Sequence, residues 1–470
     1  MQAQLSSFRR RYIGDRAFFK MVFAIALPII IQNTVSNFVN LLDNIMVGAI
    51  GTESMSGVSI ANQILMIYYA GVFGCNAGAG IFSAQFAGAQ DHAGVRHTFR
   101  FKMYGAAIIC TLALIVYFSF GRTLIGLYLT EDASGNAAAT LEHGWNYLRI
   151  ILLSLIPTAV SQVYASTLCE TGETKLPMKA TVAEVFTNAV LNYILIFGKL
   201  GLPAMGVVGA AVATLASRFV GLAILMVYTH THAEKHPFIK GAYSSFHIPK
   251  RLTADIIKKG MLLLLNEEMW ALGTTILMQQ YSMRGLTVVA AMNICGTVSN
   301  MFAMFYHSMG NTVAILAGQA LGANDVPRAK DIVRKMLFFA VTLCIVVGLA
   351  LGVCSPLLPK LYNTGEDVRH MAMCFIIITA VMTPVNGIVN WGYFTLRCGG
   401  KTLITFIFDC LFLWSMQVPM AWCLVNLTGL SIVWVYALCQ TADVIKAIFG
   451  LILVKKGVWI NNIIGNAAAE

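Results

Sequence analysis

The chain has 470 residues, of which 58% are hydrophobic and only 11% charged, and it carries a formal net charge of +11. Soluble domains are about one quarter charged, so this composition excludes a water-soluble globular protein and a disordered chain, leaving lipid as the main solvent. The basic balance is not a nucleic-acid footprint, because no arginine cluster interleaved with aromatics occurs.

A span needs roughly 20 mainly apolar residues. The sequence offers about twelve, near 18–46, 54–84, 102–128, 145–169, 178–198, 204–229, 256–283, 286–318, 334–360, 370–395, 402–425 and 429–454. The first follows Arg9, Arg10, Arg11 and Arg16. It is too long for a signal-peptide core and runs into Asp43 and Asn44 without a cleavage pattern, so it reads as a retained span. An even number of spans puts both termini on one side. That side collects Arg96, Arg100, Lys175, Lys250, Arg251, Arg328, Arg334, Arg397, Lys455 and their neighbours, against few basic residues opposite. The positive-inside rule therefore predicts cytoplasmic termini in a multi-pass protein of the inner (plasma) membrane, with the lipid bilayer as its main partner. The eleven cysteines lie mostly in spans without metal-ligand spacing and read as small packing residues.

Ionisable residues at membrane depth are costly and point to function or to buried pairs. Six acids qualify: Asp43 on span 1, Glu184 on span 5, Glu267 and Glu268 on span 7, Asp409 on span 11 and Asp443 on span 12. Glu184, Asn188 and Asn192 recur every four residues, a polar stripe that must face protein or water. Arg218 on span 6 needs a counter-charge, and Glu184 is one candidate. Glu267 and Glu268 are neighbours, about 100° apart on a helix, so one of them at most faces the interior squarely. Asp409 reads either as a relay group or as a buried acid bonded to a neighbouring helix. Asp443 and Lys446, three residues apart, read as a local ion pair. The polar, His-rich stretch 230–252 reads as a solvated connector between halves at 1–229 and 253–470.

The halves are repeats. At an offset of 234, SAQFAGAQD (83–91) aligns with AGQALGAND (317–325), pairing Gln85 with Gln319, Gly88 with Gly322 and Asp91 with Asp325. The same register pairs Gly51 with Gly285 and Arg100 with Arg334; an offset of 227 pairs Pro157 with Pro384 and Gly172 with Gly399. Six spans per half make the copies parallel repeats about the membrane normal.

In this order, Pro28 in span 1, NLLDNIMVG (40–48), the duplicated SAQFAGAQD, CETGETKLPM (169–178), NAVLNYILIFG (188–198) and MGVVGAAVAT (205–214) resemble the multidrug and toxic compound extrusion (MATE) family, end to end. The resemblance implies an all-α membrane fold of two six-helix lobes related by a pseudo-twofold axis. It also implies export of amphipathic, cationic compounds by antiport with Na⁺ or H⁺. Asp43 matches the family's coupling aspartate and Thr214 a family hydroxyl, so Asp43, Asn188, Asn192 and Thr214 form the expected coupling set and the candidate Na⁺ ligands. Asn192 stands where the family often has an acid. On the other half the resemblance points to Glu267, with Glu268 and Trp270 beside it, as coupling or substrate residues; Asn386 stands at the position of a family acid on span 10. Glu184 and Asp409 are secondary polar candidates, and Pro28, Gly88 and Gly322 structural ones.

No resident cofactor, nucleic acid or partner subunit is expected, and the chain reads as a monomer acting on small organic cations. A lipid-linked oligosaccharide flippase and a membrane scaffold are the alternatives. No nucleophile with a base and no HExxH motif occurs, and His307 is the histidine deepest in a span, so an enzyme is not expected.

Overall fold

In the computed structural model, residues 12–129, 137–362 and 364–465 are described; Arg9, Arg10 and Arg11 of the topology argument lie outside them. The protein is all-α. Twelve helical segments among the described residues are long and apolar enough to cross a membrane: Arg16–Val39, Glu53–Gly88, His92–Gly126, Ala137–Glu170, Lys175–Phe197, Gly206–Thr231, Lys250–Ser282, Thr287–Gly322, Val326–Cys354, Glu366–Cys398, Thr402–Leu427 and Ile432–Lys455. We number these spans 1 to 12. The helix of span 1 continues to Gly48 and carries Pro28 in its interior. Several helices outrun their apolar cores, as span 7 does by starting at Lys250, because a helix continues into the interface once its backbone bonds are satisfied internally.

Two spans are irregular where periodicity alone predicts none. Span 4 has a 3₁₀ turn at Leu152–Ser154, just before Pro157. Span 11 passes through two π-helical segments, Ile407–Leu411 and Leu413–Gln417. A π-segment inserts an extra residue into the turn and rotates the rest of the helix about its axis, and such segments concentrate at functional sites.

The chain divides into two compact units. One comprises Ile31–Ser83 and Asp91–Ile257, the other Met1–Ile30, Ala84–Gln90 and Lys258–Glu470. In the first, Gly57 and Gly144 abut so closely that a Cβ on Gly57 would lie 2.7 Å from the Gly144 amide, the small-residue contact by which helices approach in lipid. Tyr68 donates to the Leu155 carbonyl at 2.6 Å and Tyr117 to that of Ile64 at 2.9 Å. The core of the second draws on spans 7 to 12, around Tyr281, Ala291, Cys295, Leu351, Phe375, Ala421 and Tyr436.

The repeated motif has a physical explanation within the second unit. A Cβ on Gly88 would overlap the Gln319 carbonyl, and one on Gly322 the Gln85 carbonyl, so the two copies meet at a reciprocal backbone contact that only glycine permits. Each copy then ends in a left-handed residue, Gln90 and Asn324, both at φ 57°. An aspartate comes next and caps the following helix: Asp91 accepts from the Gly94 amide at 2.9 Å and Asp325 from that of Arg328 at 3.0 Å. The later register slips by one: Gly172 is left-handed (φ 95°), whereas its aligned partner Gly399 is at φ −82° and the adjacent Gly400 takes the left-handed turn (φ 68°).

The stretch after span 6 departs from the expected solvated connector. His236, Phe238, Ile239 and Ala242 are all buried. Arg100 donates to the carbonyls of Ala242 (2.8 Å), Gly241 (2.7 Å) and His247 (3.0 Å), and Arg96 to that of Phe238 (3.3 Å). A basic side chain at a helix end that satisfies three carbonyls turns a polar linker into an ordered strap. His230 meets the Tyr164 hydroxyl at 3.0 Å and stacks on Tyr243, so this histidine is spent on packing contacts. Burial holds His236 below the ordinary histidine value, and its Nε2 has no hydrogen-bond partner among the described residues.

Candidate functional site

The four residues expected to act together do converge, from spans 1, 5 and 6. Asn192 donates to the Asp43 carboxylate at 2.6 Å and to Asn188 Oδ1 at 3.0 Å, and Asn188 donates to the Thr214 hydroxyl at 3.2 Å. Spacing by four puts Asn188 and Asn192 one above the other on span 5, both almost fully buried. Asn192 Oδ1 has no hydrogen-bond partner among the described residues. An oxygen held beside a carboxylate without a donor is a site that wants a proton donor or a cation, since a buried acceptor left unmade costs about 1–3 kcal/mol.

This cluster opens into a cavity of about 430 Å³ lined by Gln32, Asn33, Ser36, Asp43, Thr158, Ser161, Gln162, Glu184, Asn188, Thr214 and Arg218 among others. The lining is mostly polar at a depth where polar groups are expensive. Thr158 and Ser161 line it, and their hydroxyls have no hydrogen-bond partner among the described residues. Glu184 and Arg218 form an ion pair across spans 5 and 6, the pairing suggested by the sequence, and Gly221 makes room for the carboxylate. The cavity thus holds two acids and one base, one negative charge in excess when all are ionised.

The second half assembles a different network. The Tyr393 hydroxyl donates to Glu267 at 2.9 Å; Asn266 donates to the Tyr393 oxygen at 3.3 Å and to Asp409 Oδ2 at 3.0 Å; Lys446 donates to Asp409 Oδ1 at 2.5 Å. The expected Asp443–Lys446 pair is not formed. Asp443 accepts from Gln417 at 2.8 Å, and the long lysine stem carries its ammonium to Asp409 on the neighbouring helix. Of the two readings of Asp409, the bonded buried acid describes its contacts. Glu267 rather than Glu268 enters the chain of bonds. Trp270 is 46% exposed, and Asn386 stands outside these bonds, its backbone carbonyl accepting from Asn390 at 3.0 Å. Sequence reasoning passed over Asn266 and Tyr393. Asn266 had a signal, being a polar residue beside two acids in LLNEEMWALG; Tyr393 had none.

The MatE family profile matches residues 28–194 and 263–423, well over half of the chain and split at the same place in both repeats. The chain belongs to the MATE family. It is 24% identical over 452 residues to the probable multidrug resistance protein NorM of Thermotoga maritima, covering 94% of this chain and 93% of that one. It is 24% identical over 417 residues to the probable multidrug resistance protein YoeA of Bacillus subtilis, covering 87% and 88%. Its fold matches an outward-facing MATE-family transporter of the MOP superfamily with a TM-score of 0.83 at 20% identity, over 95% and 96% of the two chains. A mutant of the Vibrio cholerae MATE transporter VcmN matches with a TM-score of 0.84 at 18% identity, over 95% and 98%. The all-α, twelve-span MATE fold expected from the sequence is therefore the fold of this chain, and its family is one of membrane transporters.

Proposed function

We propose that this MATE-family chain is a secondary antiporter that exports amphipathic, cationic compounds in exchange for Na⁺ or H⁺. The observation that carries the reading is the Asp43–Asn192–Asn188–Thr214 cluster at the head of the polar cavity, with its unpartnered Asn192 oxygen. A carboxylate, an amide oxygen and a hydroxyl are the hard oxygen ligands that suit Na⁺, and a carboxylate in a desolvated pocket equally suits a proton. When either ion neutralises Asp43, the excess negative charge of the cavity is cancelled and a bound organic cation loses its electrostatic hold. That exclusion produces release to the outside, and loss of the ion then permits reloading. The multidrug resistance names of the relatives support the substrate class.

The same reading has both termini in the cytoplasm of the inner membrane, a monomeric transporter, and no catalytic step. Glu267 is its secondary candidate for coupling or substrate binding. Glu268, Trp270 and Asn386 stand apart from the Glu267 bonds and rank below it.

Transport in proteoliposomes tests the proposal. An imposed inward Na⁺ or H⁺ gradient should drive a fluorescent organic cation out against its own gradient, and Asp43→Asn should abolish that drive. No gradient-driven movement, or an Asp43→Asn variant as active as the parent, sinks it.

A further inference from the structure

The polar cavity has a basic wall that the coupling cluster leaves unused. Span 5 carries Glu184, Asn188 and Asn192, and span 6 carries Thr214 and Arg218, each four residues from the next and so about 6 Å apart along the helix axis. Their side chains pair in layers: Asn192 with Asp43 at 2.6 Å, Asn188 with Thr214 at 3.2 Å, and Glu184 with Arg218. The ion pair therefore lies two layers from Asp43, and the Arg218 charge still acts on that carboxylate.

Arg218 is only partly spent in this pair. A guanidinium carries five N–H donors in a planar fork. Nη1 donates to Glu184 Oε1, and the other donors have no hydrogen-bond partner among the described residues. The side chain is 35% exposed against 17% for Glu184, and both residues line the cavity. At membrane depth that exposed edge belongs to the cavity, because a guanidinium turned to hydrocarbon is costly. A counter-ion whose sole task was to neutralise Glu184 would gain most from a two-bond, fork-to-fork contact; the single bond leaves an edge for a ligand. The same cavity is lined by Thr158 and Ser161, three residues apart on span 4, whose hydroxyls have no hydrogen-bond partner among the described residues; Thr158 is 3% exposed. The cavity is thus dipolar, with the Asp43 carboxylate in one layer and an unspent guanidinium edge in another.

We propose that Arg218 is a specificity-determining residue that takes the carboxylate of a zwitterionic amphiphile, whose cationic end lies toward Asp43, so that the cavity prefers such dipolar compounds to the matching pure cations. The inference rests on the reading of this cavity as the substrate site. A planar fork binds a carboxylate with two parallel bonds, and an ester in its place offers no charge to the guanidinium. Glu184 holds the fork in place through Nη1 and shares its charge, which limits the hold on the ligand.

The test is equilibrium binding to the purified, full-length protein in detergent at neutral pH, read by fluorescence anisotropy with two forms of one dye: rhodamine 110, a zwitterionic acid, and rhodamine 123, its cationic methyl ester. The parent should bind the acid more tightly than the ester. The ratio of the two dissociation constants should fall by about tenfold in the Glu184→Gln, Arg218→Gln double variant, which removes both charges together and leaves neither unpaired. Glu184→Gln alone, which leaves the whole fork to the ligand, should raise the ratio above that of the parent. A parent that binds the ester as tightly as the acid, or a double variant that keeps the parent's ratio, overturns the proposal. If the double variant folds poorly, Glu184→Gln decides, and a ratio no higher than the parent's overturns it. Binding is read without an ion gradient, so a protein that prefers the acid and yet shows no driven transport would sink antiport and leave this assignment standing, whereas driven transport without acid preference would do the reverse.

Discussion

Asn192→Asp places an acid where the family often has one and where this chain has an amide. The side chains are isosteric, so the new oxygen stands where Asn192 Nδ2 now lies, 2.6 Å from Asp43 Oδ1. Two carboxylate charges at that distance repel by about 6 kcal/mol at an effective dielectric constant of about 20. A pKa unit corresponds to about 1.36 kcal/mol, so the two acids cannot both be ionised near neutral pH without a proton or Na⁺ between them. The variant should hold its ion more tightly: in proteoliposomes, half-maximal drive should come at lower Na⁺ or at higher pH, by about tenfold or more in ion concentration. Asn192→Ala, which removes the donor without adding charge, should weaken transport without that gain. If Asn192→Asp transports with the ion dependence of the parent, the Asp43–Asn192 contact is not part of coupling, and the cluster is interhelical glue.

The packing fixes two further outcomes. Gly88→Ala and Gly322→Ala should each cost about 1–3 kcal/mol, the penalty of forcing a methyl into a closed backbone contact, and the two should lower the melting temperature alike because the contact is reciprocal. The strap after span 6 should loosen in acid. His236 is held below the ordinary histidine value by burial, so the unfolded strap takes up a proton first; its stability is intact above about pH 6.5 and is lost as the pH falls below it, by up to tenfold in opening equilibrium per pH unit. Limited proteolysis between residues 236 and 247 should therefore accelerate in acid, and His236→Gln should remove that acceleration; equal cleavage rates at neutral and acid pH would contradict the assignment.

The number of spans, the six-plus-six repeat and the family were legible in the sequence, because apolar length and motif spacing are local properties that lipid translates directly into helices. The capping aspartates Asp91 and Asp325 and the glycine pair Gly88 and Gly322 were visible as a repeated pattern, although their purpose, a mutual backbone contact leading into a left-handed turn, emerged only when the two copies met. Asp43, Asn188, Asn192 and Thr214 were found from motif and periodicity, and folding brought them into one bonded cluster.

Partnership among charges was decided by tertiary structure alone. Lys446 lies one turn from Asp443 in the sequence but reaches Asp409 across a helix interface. The connector that composition marked as solvated is fastened by Arg100 and buries His236, Phe238, Ile239 and Ala242. In both cases the deciding quantity is how each helix is rotated and what faces it. Desolvated charges and carbonyls bind the partner that packing presents, and sequence distance does not encode which partner that is.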